Sequence, residues 1–189
     1  MAYCAWLSDA LGLAIRLPTE WEWERAARGT DGREYPWGDG YRVGYANIDE
    51  KNSGAGPTYL QQTTAVGVYP QGASPEGVLD LSGNVWEWCL NESKDPERIQ
   101  PGGTGSRVVR GGSWGGSRHH ARAACRSGDG PLNRGGNLGL RVLCVSHIHL
   151  SPFGCRPVPP ITVCGMRRRA AGWRGCVPSA RRSRRRADL

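Results

Sequence analysis

Glycine is the residue that most constrains how this chain can fold. Twenty-eight of its 189 residues are glycine, about twice the usual proportion in soluble proteins. Because glycine loses more conformational freedom on folding than any other residue, this content disfavours long helices and favours turns. The sequence from Tyr35 to Gln71, punctuated by Gly38, Gly40, Gly54 and Gly56, therefore predicts a long irregular excursion. The length fits a single domain of ordinary size.

The first predicted helix covers Ala2 to Leu11. Gly12 is expected to end it, and the spacing of Ala5, Leu7 and Leu11 allows these residues to face a core.

A second short helix is predicted after Pro18. Thr19 and Glu22 have the spacing of a capping box, in which the hydroxyl and the carboxylate satisfy each other's backbone N–H groups. Gly29 is expected to end this helix. Trp23 shares a helical face with the two following alanines, which favours burial of the indole.

Basic charge is confined to the end of the sequence. Residues 1–145 contain 15 Lys and Arg against 16 Asp and Glu, whereas residues 146–189 contain 10 against 1. The latter segment is rich in Pro and Arg and lacks an apolar pattern, so we predict a folded domain over 1–145 and a disordered tail over 146–189. Arginine clusters bind phosphates, and we expect nucleic-acid or anionic-membrane binding only through this tail. A solvated tail or an extension from a shifted reading frame are the plainer interpretations.

Cysteine usage bears on the compartment. The seven cysteines are odd in number, irregularly spaced and without a C-x-x-C pair, which disfavours a complete disulfide framework and a structural zinc site. No apolar run reaches the about 18 residues of a transmembrane helix, and the first residues lack the features of a secretory signal. The compartment stays open, with a reducing cytosol favoured.

Three tryptophan-containing blocks carry a resemblance to a known family. They are RLPTEWEWE at 16–24, LDLSGNVWEW at 79–88 and VVRGGSW at 108–114, followed by Asn137 to Val142. In this order they resemble the formylglycine-generating, or sulfatase-modifying, enzyme family. The resemblance covers about Met1 to Cys144 and implies a loop-rich α+β fold of the C-type-lectin type. The chain opens where relatives are already well inside the domain, so we expect an N-terminally truncated copy.

The resemblance implies structural calcium. The matching positions are the side chains of Asp80 and Glu87 with the carbonyls of Gly83 and Val85, and a second family site begins at Asn47 and Ile48. Calcium prefers about six to eight oxygen ligands of these kinds. The second site lacks a clear counterpart of its acidic loop. The plainer interpretation is that Asp80 caps a turn and Glu87 pairs with an arginine.

The family's catalytic residues are not evident in this sequence. Oxidation of a substrate cysteine by oxygen requires, in the family, two thiols that hold copper(I), a soft ion that prefers thiolates. Gly115 and Gly116 stand where the resemblance implies that pair, so we expect no copper. Cys125 is the only thiol of the loop, and we interpret it as a buried or incidental thiol.

Histidines give no better catalytic candidate. His119 and His120 would point to opposite faces of a strand, so they could not easily share one ion. Cys144, His147 and His149 form a thin cluster that we attribute to chance.

A third interpretation accounts for the departures from the family pattern. Some proteins of this lectin-like fold are variable proteins of diversity-generating retroelements, in which adenine-directed copying converts Asn-type codons to Gly, Ser, Arg, His, Cys or Asp. Such residues cluster here between fixed-looking blocks. With Trp114, Arg118 and Arg134 they form the predicted contact set: Trp114, Gly115, Gly116, Ser117, Arg118, His119, His120, Cys125, Ser127, Gly128, Asp129, Gly130, Arg134, Gly135 and Gly136. The pattern predicts a rigid scaffold that presents a variable ligand surface. A glycine-rich loop that has lost its function is the plainer interpretation.

The sequence supports two functional hypotheses. The first is a non-catalytic module that binds an unknown protein or surface ligand. The second is a formylglycine-generating oxidoreductase that acts on a protein cysteine, with Cys125 as its only remaining thiol.

Overall fold

The computed structural model describes residues 1–145. Their elements in chain order are α1 (Ala2–Leu11), β1 (Ala14–Arg16), α2 (Glu20–Arg28), the 3-10 turn η1 (Pro70–Gly72), β2 (Trp86–Glu92), β3 (Arg107–Arg110), β4 (Arg126–Asp129), β5 (Leu138–Gly139) and β6 (Leu143–Val145). The predicted α+β fold is confirmed. The predicted tail, with His147 and His149, lies outside the described residues.

Helix α1 has the predicted bounds but not the predicted buried face. Gly12 ends it in the left-handed region at φ 65°, and its N–H donates to the Ser8 carbonyl. Cys4 is the buried residue of the helix, whereas Ala5 and Leu11 are exposed. The prediction of the buried face was wrong because apolar residues occur on most sides of this helix, so its periodicity selects no face. Neither α1 nor any other helix within residues 1–145 is long and apolar enough to cross a membrane.

Helix α2 forms as its sequence predicts. The Thr19 hydroxyl accepts the Glu22 N–H at 3.2 Å, and the Glu22 carboxylate accepts the Thr19 N–H at 2.8 Å. Arg16 adds two hydrogen bonds to the same carboxylate at 2.7 and 2.6 Å, which lowers the pKa of Glu22 to about 2. Trp23 and Ala27 are buried on the inner face.

Two sheets organise the strands. The larger sheet has the order β4-β3-β2-β5, with β2 antiparallel to β3 and parallel to β5. In the smaller sheet, β1 pairs antiparallel with β6, so that Ile15 lies opposite Cys144. This pairing joins the two ends of the described chain. Trp23 packs against the larger sheet with Leu81, Cys89 and Val108 in one buried cluster.

The predicted excursion between α2 and β2 is irregular except for η1 and is supported by packing. The Tyr35 and Trp37 rings stack at 5.0 Å and lie against a second buried cluster. Glu50 is 1% exposed, and its carboxylate accepts from the Tyr41 hydroxyl at 2.6 Å and the Gly44 N–H at 2.8 Å. A long loop inside a domain needs such support.

Candidate functional site

The turn after β3 brings the first predicted contact residues to the surface. Gly112 has a φ of 75°, and a Cβ there would lie 2.8 Å from the His120 carbonyl oxygen. This close approach, which only glycine permits without strain, closes the loop between the two residues. The Gly116 carbonyl accepts the Asp49 N–H at 2.9 Å, which fixes the loop to the excursion. The two residues after Trp114 are glycines, so this part of the loop presents backbone groups and no thiol.

Aromatic rings surround this loop. The Trp114 ring stacks on Tyr59 with centroids 6.4 Å apart. The Trp86 ring meets the His120 ring edge-on at 6.2 Å. Tyr59, Trp86 and Trp114 are half-buried, so each ring has an accessible part. Rings of this kind supply large contact areas at binding surfaces.

The two adjacent histidines lie in a turn rather than on a strand, so strand alternation does not apply to them. They nevertheless have different surroundings. The His120 Nδ1 lies 3.2 Å from both the Ser117 N–H and the Ser117 hydroxyl, whereas His119 lines a cleft beside Tyr35. Within residues 1–145 no group of three or more His, Cys, Asp or Glu residues could hold a metal ion.

The predicted contact set is accessible throughout. All 15 of its residues are exposed or half-buried. Ala121 and Ala123 between them are buried, as are Arg110 and Ser113 before them and Arg141 after them. This alternation of accessible and buried positions is what a scaffold with surface contact residues requires. Arg122, which lies between the contact residues in sequence, is exposed as well.

Two parts of the contact set lie at opposite edges of the larger sheet. Residues 127–129 lie on β4, at one edge of the larger sheet, and residues 134–136 precede β5 at the other edge. Neighbouring strands are about 4.8 Å apart, so the two edges are separated by roughly 14 Å. Trp86 connects residues 134–136 with the Trp114 turn. Its backbone N–H donates to the carbonyl of Asn137, which follows those residues, at 2.9 Å, and its ring contacts His120. We name residues 114–120 and 134–136 the Trp86 patch, and residues 125–130 the β4 patch.

Cys125 is half-buried and lines an open cleft of about 410 Å³. All four cysteines within residues 1–145 are free thiols, and they lie in different places. Cys4 and Cys89 belong to separate buried clusters, and burial raises the pKa of the Cys89 thiol. Cys144 is exposed on β6. Cys125 is therefore not a buried thiol, whereas its interpretation as an incidental thiol stays a prediction.

Glu87 lies at the centre of a buried polar cluster. Its carboxylate accepts from Arg141 Nε at 2.8 Å, from Arg141 Nη2 at 2.9 Å and from the Trp23 indole N–H at 2.7 Å. Asp80 has a φ of 57°, and its carboxylate accepts the Gly67 N–H at 2.7 Å. The plainer interpretation of this pair, a turn cap and an arginine partner, describes these contacts. A calcium ion at Asp80, Gly83, Val85 and Glu87 would have to compete with Arg141 for the Glu87 carboxylate, and calcium binding there stays a prediction.

The second predicted calcium position contains an unsatisfied oxygen. The Asn47 carbonyl accepts the Asn84 N–H at 2.8 Å, and Gly83 lies so close that a Cβ there would be 2.3 Å from the same carbonyl oxygen. Asn47 Oδ1 is buried without a hydrogen-bond partner, and within residues 1–145 no group of three or more His, Cys, Asp or Glu residues could hold a metal ion there. Calcium binding at Asn47 and Ile48 likewise stays a prediction.

Sequence reasoning missed the cleft beside Cys125. Its acidic side is built in the excursion, where the Glu34 N–H donates to Asp39 at 3.1 Å and the Glu34 carboxylate accepts the Gly40 N–H at 3.2 Å. Its basic side includes Arg122, which lies 3.9 Å from Glu34. No local pattern connects segments so distant in sequence. The signal that was present is the alternation of arginines with small residues around Arg122.

Comparison with known proteins decides the family. The sequence profile described as "Sulfatase-modifying factor enzyme 1-like domain" matches residues 1–145. The chain belongs to this family. The resemblance carried by the three tryptophan blocks is thereby confirmed. They occupy α2, β2 and the turn after β3, which build the Trp23 cluster and the Trp114 turn.

Relatives of this sulfatase-modifying factor domain include proteins with different names. A mouse protein named Inactive C-alpha-formylglycine-generating enzyme 2 is 38% identical over 150 residues, covering 74% of this chain and 44% of its own length. A formylglycine-generating enzyme from Streptomyces coelicolor is 33% identical over 163 residues, covering 74% of this chain and 48% of its own. The chain thus spans less than half the length of these relatives.

Solved structures support the fold of the sulfatase-modifying factor domain. Treponema denticola variable protein 1 superposes with a TM-score of 0.54 at 30% identity, covering 70% of this chain and 48% of its own. PvdO from Pseudomonas aeruginosa superposes with a TM-score of 0.59 at 27% identity, covering 75% and 56%. A protein named as variable therefore shares this architecture.

Proposed function

We propose that this chain is a non-catalytic binding module of the sulfatase-modifying factor family, with the Trp86 patch as its main contact surface. The observation that carries the proposal is the Trp114 turn. Gly115 and Gly116 occupy the place where the family resemblance implies two copper-binding thiols. A soft metal ion needs thiolate ligands, and glycine has no side chain to supply them. The mouse relative that is named inactive also supports a non-catalytic role for this chain.

The surroundings of the turn suit recognition. Half-buried Tyr59, Trp86 and Trp114 provide ring surfaces, while the residues between them are small or polar. Aromatic side chains bury large areas at low cost in conformational entropy, and small polar residues adapt to the ligand. Two buried contacts hold the scaffold on either side of the loop: Arg110 donates to the Ala123 carbonyl at 3.0 Å, and the Ser82 hydroxyl donates to the Ala121 carbonyl at 2.7 Å.

The accessible residues also support the proposal of a variable surface. The members of the contact set that adenine substitution can generate are accessible, and the structural neighbour named as a variable protein shares the fold. The test is at the level of the gene. We expect a near-identical template repeat and a reverse transcriptase gene close to the coding sequence, and their absence would contradict this part of the proposal.

Enzyme assay separates binding from catalysis. The full chain is incubated with copper, oxygen and a cysteine-containing peptide of the sulfatase type, and conversion of cysteine to formylglycine is followed by mass spectrometry. We expect no conversion. Turnover that is lost in Cys125→Ser would establish the oxidoreductase hypothesis instead, with Cys125 as its essential thiol.

A further inference from the structure

Two adjoining hollows form one cleft between the start of the excursion and the loop before β4. The larger has a volume of about 410 Å³ and the smaller about 240 Å³, and both are lined by Glu34 and Arg122. We name the combined hollow the arginine cleft. Arg28, Arg33, Arg118 and Arg122 supply its positive charges, and Glu34 and Asp39 its negative ones.

The four arginines differ in how far their charge is already balanced. Arg28 donates to Glu24 at 2.7 Å, and Arg33 pairs with Asp31 through two hydrogen bonds. Arg122, in contrast, reaches Glu34 only at 3.9 Å, with 47% of its side chain exposed. No carboxylate within residues 1–145 lies at ion-pair distance from Arg118, which is exposed. Arg122 Nε donates to the His119 carbonyl at 3.4 Å, so the guanidinium of Arg118 and the two terminal nitrogens of Arg122 are the groups available to a ligand.

The charges of the cleft favour a carboxylate over a phosphate. A guanidinium fork matches either group with paired hydrogen bonds. Glu34 and Asp39 line the same cleft and offset the charges of Arg118 and Arg122, so the additional negative charge of a phosphate, about −1.5 to −2 in total at neutral pH, gains no net attraction there. A carboxylate makes the same paired contact with only one charge to remove from water.

The cleft also offers groups for the rest of an acidic peptide. Each of the Glu34 and Asp39 carboxylates accepts a backbone N–H, and a carboxylate has further lone pairs for peptide N–H groups. Half-buried Tyr41 lines the Arg118 end and provides ring surface for a peptide side chain.

We infer that the arginine cleft binds a carboxylate-bearing peptide segment, with Arg118 and Arg122 as the residues that recognise the carboxylate. The inference rests on the proposed function, since it assigns a ligand class to a binding module. Arg118 belongs to the contact set, so a change there would alter which acidic ligands are accepted, whereas Arg122 lies between the contact residues and would supply a constant part of the site.

Cys125 lines the cleft and provides the test. The full chain is treated with iodoacetamide, and the alkylation rates of Cys125 and the exposed Cys144 are measured by peptide mapping. The probe is a capped peptide of alternating Glu and Gly, and the same peptide with Gln serves as its control. We expect the Glu peptide to slow alkylation of Cys125 several-fold without affecting Cys144, and the Gln peptide to have no effect.

Variants separate the cleft from the arginine-rich tail, which is present in every protein compared. The double variant Arg118→Gln/Arg122→Gln should raise the Glu-peptide concentration that gives half-maximal protection by about tenfold or more, because it removes two charge-assisted contacts. Arg98→Gln, which changes an arginine 56% exposed and outside the cleft, should retain full protection. Thermal melting confirms that all variants are folded.

Other outcomes overturn the inference. Absence of protection, or equal protection in the double variant, removes the cleft as the site. If a phosphoserine peptide protects Cys125 more strongly than the Glu peptide does, the ligand group is a phosphate and not a carboxylate. If the cysteine peptide of the enzyme assay is not converted, these results leave the proposed binding function standing, whereas its conversion overturns that function whatever happens at the cleft.

Discussion

Arg141 and Glu87, a residue of strand β2, form a buried bidentate ion pair. Arg141 Nε and Nη2 lie 2.8 and 2.9 Å from the two carboxylate oxygens, and the side chains are 7% and 5% exposed. Trp23, the central residue of the main core cluster, donates to the same carboxylate. The pair therefore connects the last part of the described chain to the core built by α2.

Removing one member of this pair should strongly destabilise the domain. In Glu87→Gln the Arg141 charge stays buried without a counter-charge, and we expect a loss of about 3–5 kcal/mol in the free energy of unfolding, measured by urea denaturation. Arg141→Lys keeps the charge but not the paired geometry, and should lose less. The control Arg25→Gln breaks an exposed pair with Glu76 and should change stability by less than about 1 kcal/mol. Similar effects in all three variants would contradict the assigned role.

A calcium titration distinguishes a Glu87 carboxylate that is paired with Arg141 from one that binds calcium, as the family resemblance implies. An ion bound by Glu87 would have to compete with Arg141, so we expect no saturable rise in melting temperature when calcium replaces a chelator. A ligand that binds only the folded state must raise that temperature. A saturable rise that disappears in Asp80→Asn would instead support calcium at the predicted positions.

Glycine at the Trp114 turn should be required at one position and dispensable at another. Gly112→Ala places a Cβ 2.8 Å from the His120 carbonyl oxygen at a φ of 75°, and we expect a loss of about 1–3 kcal/mol. For Gly115→Ala nothing lies within 4 Å of the new Cβ, and the change should stay within about 0.5 kcal/mol. Chemical denaturation of both variants measures the difference. Equal losses would show that Gly115 belongs to the scaffold rather than to the variable surface.

Acid should reveal the contribution of the Arg16–Glu22 pair. Arg16 lowers the pKa of Glu22 from 4.5 to about 2, so the pair stabilises the fold above the unfolded pKa of about 4.3, and this contribution is lost as pH falls towards the folded value. Glu22→Gln keeps the capping box but removes the charge. Because the side chain is 36% exposed, we expect a difference below about 1 kcal/mol at neutral pH.

The comparison with Glu22→Gln is made by thermal melting between neutral pH and pH about 2, where the carboxyl group is half protonated in the folded state. The difference between wild type and variant should shrink through this range, and salt should reduce it at neutral pH. A difference that is constant with pH would show that hydrogen bonding, not charge, is responsible.

Features fixed by neighbouring residues were accessible from the sequence. The capping box of Thr19 and Glu22 needs only a three-residue spacing, and Gly12 needs only a backbone without a Cβ at a helix end. The family blocks likewise identified the fold, because their tryptophans and glycines occur in a recognisable order. The predicted buried face of α1 was wrong, since local periodicity there distinguishes no side.

Features that join distant segments were not accessible. Nothing in the sequence of β1 specifies β6 as its partner, and no local spacing connects Glu87 with Arg141. The contact set comes from separate segments, and only the strand order shows that residues 127–129 and 134–136 lie at opposite edges of the larger sheet.

The chain's residues determined its family, its second helix and the lack of a thiol pair after Trp114, because each depends on which side chains stand at neighbouring positions. Tertiary structure alone decided which charges meet. The fold pairs Glu87 with Arg141. It also brings Arg118 and Arg122 to a cleft whose acidic side lies at the start of the excursion. The free energy of a charge depends on its burial and its nearest counter-charge, and folding sets both through contacts far apart in sequence.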